Sequence, residues 1–536
     1  MNRKLTRVKI MALVMAVAMM LSACSTGSGG ASSNISSKSK STGNETTADK
    51  DKPITFDFFY DASWVPTDSW SGIIPQEITK ETGVSLKVMK ASDSNQLNLL
   101  IASGDLPDLI YTGAGTGGSG DKLSNNQYCY SYNELISKYA PTFKPKQAYI
   151  NIAKSFSSDS NYYTILNYCS FDNDWKNAAI GCPGQACIYY REDMWKALGS
   201  PKMETLDDFA KVLGMVKQKY PKLIPYAVDA PAWYFQSIKS WMGISPLTDD
   251  GSYTYDTTSS NYLKFLKYAN NFARNGYISA DNYAINSESD SQQYAFGNKC
   301  FSFCWYTGVN NNETLNTNTK KTDPNAHWIA LSPLKDSSGK LNQAVRTPMG
   351  WMGTFVTKNC KDPSRAVRFI EFMFSQKGRA LSMWGREGVD YTLDSKGVPQ
   401  FSQDWKNTAK DSTEMAKKYN PWFYLGINEV DESYSYYSGG PQGELSAFDK
   451  YKQNTINKPA IAVATPPSTS DMGVIKTKLD NLEKSTEAKV IFSKNDSEFT
   501  ENYNNYMKAM QQTGVNKYNQ YMTSKIKEVN SKYTFN

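Results

Sequence analysis

The chain has 536 residues, a formal net charge of +7 and a single histidine. Its length is sufficient for two or three domains with a large buried core. The first 52 residues carry most of the positive charge, so the remainder is nearly neutral and lacks the basic stripe that nucleic-acid binding requires. The single histidine also excludes a zinc site built from three histidines.

The N-terminus has the pattern of an export signal. Four basic residues precede an apolar run from Ile10 to Leu21. This run is too short to cross about 30 Å of hydrocarbon comfortably. The sequence Leu-Ser-Ala-Cys that follows resembles the bacterial lipobox, which predicts a signal peptide over residues 1–23 and lipidation of Cys24. The alternative is an ordinary secretory signal followed by a chance cysteine.

Residues 24–52 are mainly Ser, Thr, Gly, Asn and Lys, a composition typical of a flexible tether. From Pro53 onward, strand and helix patterns alternate, which predicts a largely parallel α/β sheet. Strands are predicted at 54–60, 84–88, 109–111, 187–190 and 299–305, and helices at 73–82, 96–103, 262–273, from 205, and from 363 to a stop at Gly378. Beyond residue 400 the chain is predicted to be mostly helical, with a last apolar stripe ending at Gly514.

Seven cysteines remain when Cys24 is set aside. An odd number in an exported protein argues against a complete disulfide framework, so we expect small, buried apolar side chains. Cys182 and Cys187 flank a Pro-Gly turn, where pairing with each other or binding of a metal stays open.

Four segments form a family pattern when taken in order behind the lipobox. They are Ile101–Ile110 with its Ala-Ser-Gly-Asp-Leu-Pro-Asp, Ile188–Met194 followed by Leu206–Phe209, Tyr294–Lys299 leading into Trp305, and Trp384–Thr392. Together they resemble the extracellular solute-binding proteins of ABC carbohydrate importers, in the large lipoprotein branch of Gram-positive bacteria. The resemblance covers nearly the whole mature chain.

This resemblance implies a two-lobed α/β fold of the periplasmic-binding-protein type (class II), with hinge crossovers and a helical C-terminal extension. We expect lobe 1 at 53–185 plus 325–385 and lobe 2 at 186–324 plus 386–536. The ligand would bind between the lobes, at the carboxyl ends of the strands.

Candidate ligand-binding residues are those that can stack on a sugar ring or hydrogen-bond its hydroxyl groups. They are Asp61, Trp64, Thr112, Asp229, Trp233, Trp305, Tyr306, Arg346, Trp351 and Arg386. Each tryptophan could instead belong to the core, as expected for Trp195 and Trp328. Some relatives that bind acidic oligosaccharides carry a calcium loop where this chain has the basic stretch 217–222, so we expect neither a metal nor a cofactor.

The expected function is capture of a carbohydrate, an oligosaccharide rather than a single sugar, and its delivery to an ABC transporter permease. The protein would be a lipid-anchored monomer on the outer face of a Gram-positive cytoplasmic membrane, without a nucleic-acid partner. A neutral sugar is favoured over a uronate by the nearly neutral body. The alternatives are a binding protein for a peptide or another polar solute, a surface adhesin, and a secreted glycoside hydrolase. A hydrolase would need two carboxylates about 5 to 9 Å apart, and no motif marks such a pair, so no enzymatic activity is expected.

Overall fold

The computed structural model describes residues 52–535 except 63–64, 94, 114–118, 180–183, 230–234, 286, 438–444 and 468–469. Residues 50–536 form one compact unit. The predicted signal peptide, Cys24 and nearly all of the tether lie outside the described residues, as do Trp64, Cys182 and Trp233. None of the helices within the described ranges is both long and apolar enough to cross a bilayer.

The described strands form two larger sheets and two short strand pairs. They are Ile54–Tyr60 (β1), Val84–Lys90 (β2), Leu109–Gly113 (β3), Thr164–Leu166 (β4), Ala186–Arg191 (β5), Ile224–Val228 (β6), Cys300–Tyr306 (β7), Trp328–Ala330 (β8), Ala344–Arg346 (β9), Met352–Val356 (β10), Tyr391–Leu393 (β11), Pro399–Phe401 (β12) and Thr455–Asn457 (β13).

The described α-helices cover the sheets and dominate the C-terminal region. They are Ile73–Thr82 (α1), Gln96–Ser103 (α2), Ser119–Leu123 (α3), Tyr132–Tyr139 (α4), Gln147–Lys154 (α5), Asp172–Asn177 (α6), Glu192–Ala197 (α7), Leu206–Lys219 (α8), Gln236–Trp241 (α9), Tyr262–Arg274 (α10), Ala280–Tyr283 (α11), Glu288–Phe296 (α12), Val309–Thr319 (α13), Pro363–Phe374 (α14), Gln376–Trp384 (α15), Gln403–Thr408 (α16), Ser412–Lys418 (α17), Glu429–Tyr437 (α18), Leu445–Gln453 (α19), Pro459–Ala464 (α20), Asp471–Ile491 (α21), Asp496–Thr513 (α22) and Val515–Lys532 (α23).

Several predicted helix ends are confirmed together with their physical cause. Thr205 caps α8: its hydroxyl accepts from the Asp208 amide at 3.1 Å, and the Asp208 carboxylate accepts from the Thr205 amide at 3.2 Å. Gly83 ends α1 in the left-handed conformation, with φ of 68°. The predicted stop at Gly378 is wrong, because α14 already ends at Phe374 and the Ser375 hydroxyl caps α15, which contains Gly378.

The first sheet has the strand order β2-β1-β3-β10-β4. β1 is parallel to β2 and β3, whereas β10 is antiparallel to both β3 and β4. Both faces of β1 are covered: Phe58 and Tyr60 belong to one apolar core, and Phe59 belongs to another with Leu97 and Ile110. The sheet is therefore mixed rather than largely parallel, because β10 enters it in the opposite direction.

The second sheet has the strand order β6-β7-β5-β8. β6 is parallel to β7, and β5 is antiparallel to both β7 and β8. Every residue of β5 is buried, which is typical of a central strand covered on both faces. The six described cysteines are buried, as expected, whereas the pairing of Cys182 with Cys187 stays a prediction because Cys182 lies outside the described residues.

Packing differs from the expected lobe boundaries in two segments. β8 pairs with β5 and Trp328 is fully buried in the core of the second sheet, although the sequence assigns both to lobe 1. The buried apolar residues between Tyr391 and Ile427 pack in the core of the first sheet, although the sequence assigns them to lobe 2. The lobe boundaries themselves stay a prediction.

A buried charged cluster ties the C-terminal helices to the second sheet. Lys239 of α9 lies 3.3 Å from Asp256, 3.2 Å from Glu483 and 3.0 Å from Glu487. The Tyr262 hydroxyl donates a further hydrogen bond to Glu487 at 2.5 Å. Burial raises the pKa of Glu487 and of Asp256, while the charge of Lys239 opposes that rise. The helical extension is thus held by ion pairs as well as by apolar packing.

Candidate functional site

Three of the predicted site residues meet at one edge of the first sheet. Asp61 follows β1, Thr112 lies near the end of β3, and Trp351 immediately precedes β10. Because β1 and β3 are parallel and Met352 is paired with Gly113, these positions share the same edge. The buried Thr112 hydroxyl donates to the Asp61 carboxylate at 2.5 Å, and burial raises the pKa of Asp61. Thr112 therefore orients Asp61.

Three further predicted residues meet at the corresponding edge of the second sheet. Asp229 follows β6, and Trp305 and Tyr306 end β7, opposite the start of β5 at Ala186. Asp229 is fully buried and accepts a hydrogen bond from the Ser291 hydroxyl. Trp305 is only 6% exposed and packs edge to face against Tyr306, so Tyr306 presents the more open ring.

Trp351 belongs to an aromatic platform formed by Tyr168, Trp351, Trp422 and Tyr424. Trp351 is 37% exposed, and its ring lies 6.2 Å from that of Tyr168 and 5.9 Å from that of Tyr424, both edge to face. Trp422 extends the platform, 6.1 Å from Tyr424. Such rings offer the flat apolar surface on which a sugar ring stacks.

Asn167 fixes the position of the aromatic platform. Its side-chain amide donates to the Tyr424 carbonyl at 3.0 Å, and its side-chain oxygen accepts from the Met352 amide at 2.9 Å. The Tyr168 amide donates to the Ile427 carbonyl at 2.7 Å. Segments far apart in sequence are thus locked around one buried amide side chain, and this makes the platform rigid.

Tyr424 lies close to residues of both sheets. Its ring is 5.9 Å from that of Trp351, which precedes β10 of the first sheet. Burial raises the pKa of Tyr424 well above its usual range, and the nearby phenol of Tyr306, at the end of β7 in the second sheet, adds to that rise. We call the region between these two sheet edges the cleft.

A cavity of about 420 Å³ lies where the crossovers meet. Its described lining includes the polar residues Gln185, Gln236, Ser237, Ser240, Arg346 and Thr347. Arg346 ends β9, which pairs in parallel with β13, and its guanidinium forms an ion pair with Glu429 at the start of α18. The volume falls within the range typical of small-molecule sites.

Arg386 is the predicted site residue that the structure does not bring to either sheet edge. Its guanidinium lies 2.9 Å from the buried carboxylate of Asp390, which also accepts from the Arg386 backbone amide at 2.8 Å. The pair raises the pKa of Arg386, chiefly through the hydrogen bond. Arg386 therefore stabilises its own turn, and its role in ligand binding stays a prediction. Trp64 and Trp233 lie outside the described residues.

The single histidine is remote from the cleft. The Nδ1 atom of His327 lies 2.9 Å from Glu192, beside the end of β5 that is opposite to Ala186. Across the described ranges, no group of three or more His, Cys, Asp and Glu side chains is placed to hold a metal ion. The described residues at the two sheet edges therefore offer stacking surfaces and hydrogen-bonding groups, both of which suit a polar ligand.

Tyr168, Trp422, Tyr424 and Glu429 were missed by sequence analysis. A signal for two of them exists in the run Asn-Pro-Trp-Phe-Tyr-Leu-Gly at 420–426, whose aromatic residues lack helical spacing and lie between a proline and a glycine. Nothing local marks Tyr168, whose backbone is left-handed with φ of 58°. Glu429 has no local signal either, because its partner Arg346 lies 83 residues earlier in the chain.

Comparison with known proteins gives one consistent result. A family model described as bacterial extracellular solute-binding protein matches residues 74–410. The chain is 24% identical over 375 residues to the fructooligosaccharide ABC transporter substrate-binding protein FusA of Streptococcus pneumoniae, which is 66% of each chain. It is 26% identical over 221 residues to lipoprotein LipO of Bacillus subtilis, covering 38% of this chain and 41% of LipO. These two relatives are thus matched over less than two thirds of their own length.

Solved structures extend the likeness to nearly the whole described chain. The structure of Streptococcus pneumoniae FusA in complex with kestose superposes with a TM-score of 0.65 at 19% identity, covering 89% of this chain and 100% of that chain. This similarity confirms the predicted two-lobed α/β fold of the periplasmic-binding-protein type.

Proposed function

Because the chain belongs to the bacterial extracellular solute-binding proteins, we propose that it captures an oligosaccharide between its two lobes and delivers it to an ABC transporter permease. The aromatic platform carries this proposal, because it presents the exposed ring of Trp351 as a stacking surface at the same sheet edge as Asp61 and Thr112. The name of the streptococcal relative, a fructooligosaccharide-binding protein, supports the same ligand class.

The ligand is bound and released unchanged in this proposal. The Asp61 carboxylate accepts a hydrogen bond from the Thr112 hydroxyl and the Asp229 carboxylate accepts one from the Ser291 hydroxyl, so both carboxylates are already engaged in structural hydrogen bonds. Ligand binding favours the closed arrangement of the two lobes, and that closed form is what the permease recognises. A glycoside hydrolase would instead release shorter products from the same oligosaccharide.

The proposed location is the outer face of the cytoplasmic membrane. The lipobox at 21–24 supports cleavage before Cys24 and lipidation of that residue, and the lipoprotein LipO is a relative. Residues 24–52 would then act as a tether that keeps a monomeric binding protein near the permease at high local concentration.

A thermal-shift screen against oligosaccharides tests the proposed function. A ligand present at about 100 times its Kd is expected to add about 2.7 kcal/mol to the free energy of unfolding, because it binds only the folded state. Short peptides serve as the control class, since a peptide-binding protein would respond to them instead. A broad panel of neutral and acidic oligosaccharides that leaves the melting temperature unchanged would refute the proposal.

A further inference from the structure

Arg346 is the only charged residue among the described residues that line the cavity at the crossovers. The other polar groups there include the amides of Gln185 and Gln236 and the hydroxyls of Ser237, Ser240 and Thr347. These groups can donate and accept hydrogen bonds, as sugar hydroxyls require. The charge of the cavity therefore depends on how completely Arg346 is neutralised.

Glu429 neutralises Arg346 from the rim of the cavity. One guanidinium nitrogen pairs with Oε1, and the other lies 3.3 Å from Oε2, an arrangement in which both carboxylate oxygens are engaged. The two side chains are only 13% and 8% exposed. Gly184 lines the cavity, and a Cβ atom at that position would lie 3.8 Å from Oε1 of Glu429. The Glu429 carboxylate therefore lies at the cavity wall.

The cavity adjoins the cleft with its aromatic platform. The Thr307 amide donates to the Gln185 carbonyl at 2.6 Å, directly after Tyr306. Glu429 begins α18 two residues after Ile427, whose carbonyl accepts from Tyr168 of the platform. A ligand chain that stacks on the platform can therefore place its end unit in the cavity.

We propose that Glu429 sets the ligand class: by masking Arg346, it makes this cavity accept an uncharged sugar unit and exclude a uronic acid. The inference rests on the proposed carbohydrate-binding function. An unmasked guanidinium would bind a ligand carboxylate through two parallel hydrogen bonds. With Glu429 present, that carboxylate would instead lie beside a second negative charge in a mostly dry site, an arrangement that selects against it.

The substitution Glu429→Gln tests this masking. It keeps the shape of the side chain and one acceptor for Arg346 but removes the negative charge. The probes are neutral oligosaccharides and the same oligosaccharides oxidised at C6 of the terminal unit to a uronic acid. For the chain without its signal peptide, calorimetry should show that wild type prefers the neutral member of a pair. E429Q should bind the acidic member at least about tenfold more tightly than wild type does. This gain corresponds to the charge-assisted hydrogen bonds between Arg346 and the ligand carboxylate.

Two further variants control this experiment. Glu387→Gln removes an exposed glutamate and is expected to leave the preference of wild type unchanged. The double variant R346Q/E429Q lacks both charges and should lose the gain for the acidic probe; it remains informative if E429Q alone folds poorly. Its melting temperature reports on folding independently of ligand.

The outcomes separate the masking from the proposed function. If wild type binds a neutral oligosaccharide but E429Q gains nothing for the oxidised counterpart, the masking is refuted and carbohydrate binding stands. A wild-type protein that binds both members equally refutes the masking as well. If neither protein binds any oligosaccharide, the proposed function fails and the masking inference fails with it.

Discussion

Replacing Lys239 with methionine is expected to lower the free energy of unfolding by about 3–5 kcal/mol, the usual effect of removing one partner from a buried ion pair. Lys239 is the cation within 3.3 Å of Asp256, Glu483 and Glu487, and its side chain is only 7% exposed. Methionine retains much of the packing volume, so the loss is electrostatic. Urea denaturation at neutral pH measures it.

The pH dependence of this loss identifies its cause. Burial already raises the pKa of Glu487 against the opposing charge of Lys239, and removing the lysine raises that pKa further. A carboxyl whose pKa is higher in the folded than in the unfolded state lowers stability at high pH, and this cost disappears as the pH falls. The variant should therefore approach wild-type stability in acid.

Lys484→Met is the matched control for this substitution. Lys484 lies on α21, one residue after Glu483, and is exposed to solvent. Its replacement is expected to change the free energy of unfolding by about 0.5 kcal/mol or less. A Lys239 variant that behaves like this control at neutral pH would show that the buried cluster contributes no net stability.

Trp351→Ala is expected to raise the Kd for the oligosaccharide about 30-fold, equivalent to about 2 kcal/mol of binding free energy. Trp351 is the exposed ring of the aromatic platform, with the rings of Tyr168 and Tyr424 holding it edge to face. Because the ring is already 37% exposed in the absence of ligand, stability of the free protein should fall much less than affinity. Calorimetric titration and thermal melting measure the two effects.

Trp195→Ala provides the comparison for this loss of affinity. Trp195 is half-buried and packs against Tyr190, near the end of β5 that is remote from the cleft. Its removal should lower stability and leave the Kd unchanged. If the Trp351 variant binds within about threefold of wild type, a difference under 1 kcal/mol, the aromatic platform is not the principal ligand surface.

Most strands and helices could be predicted from local patterns, because apolar periodicity, caps and stops depend on neighbouring residues, whereas the two-lobed arrangement followed from the family resemblance. The same logic placed Asp61, Thr112 and Asp229 correctly at sheet edges, since a residue that follows a strand must lie where the strand ends. Neither the secondary-structure elements nor the residues at the sheet edges required knowledge of contacts between distant parts of the chain.

Features defined by distant partners could not be predicted in this way. The charge of Arg346 is neutralised by an ion pair with the distant residue Glu429. The position of the aromatic platform depends on the hydrogen bond from Asn167 to the backbone of Tyr424, 257 residues away in sequence. Arg386 looked free to bind a ligand, but Asp390 in the same turn engages it. The assignment of residues 391–427 to lobe 2 missed a similar contact, because aromatic residues of this segment share a core with α1 and α15.

Small-angle scattering of the unliganded and liganded protein tests the central claim most directly. A saturating oligosaccharide that raises the melting temperature should also reduce the radius of gyration, because the ligand favours closure of the two lobes around it. The oligosaccharide should then be recovered intact. A ligand that binds tightly without any compaction, or that is recovered as shorter products, would contradict capture between the lobes.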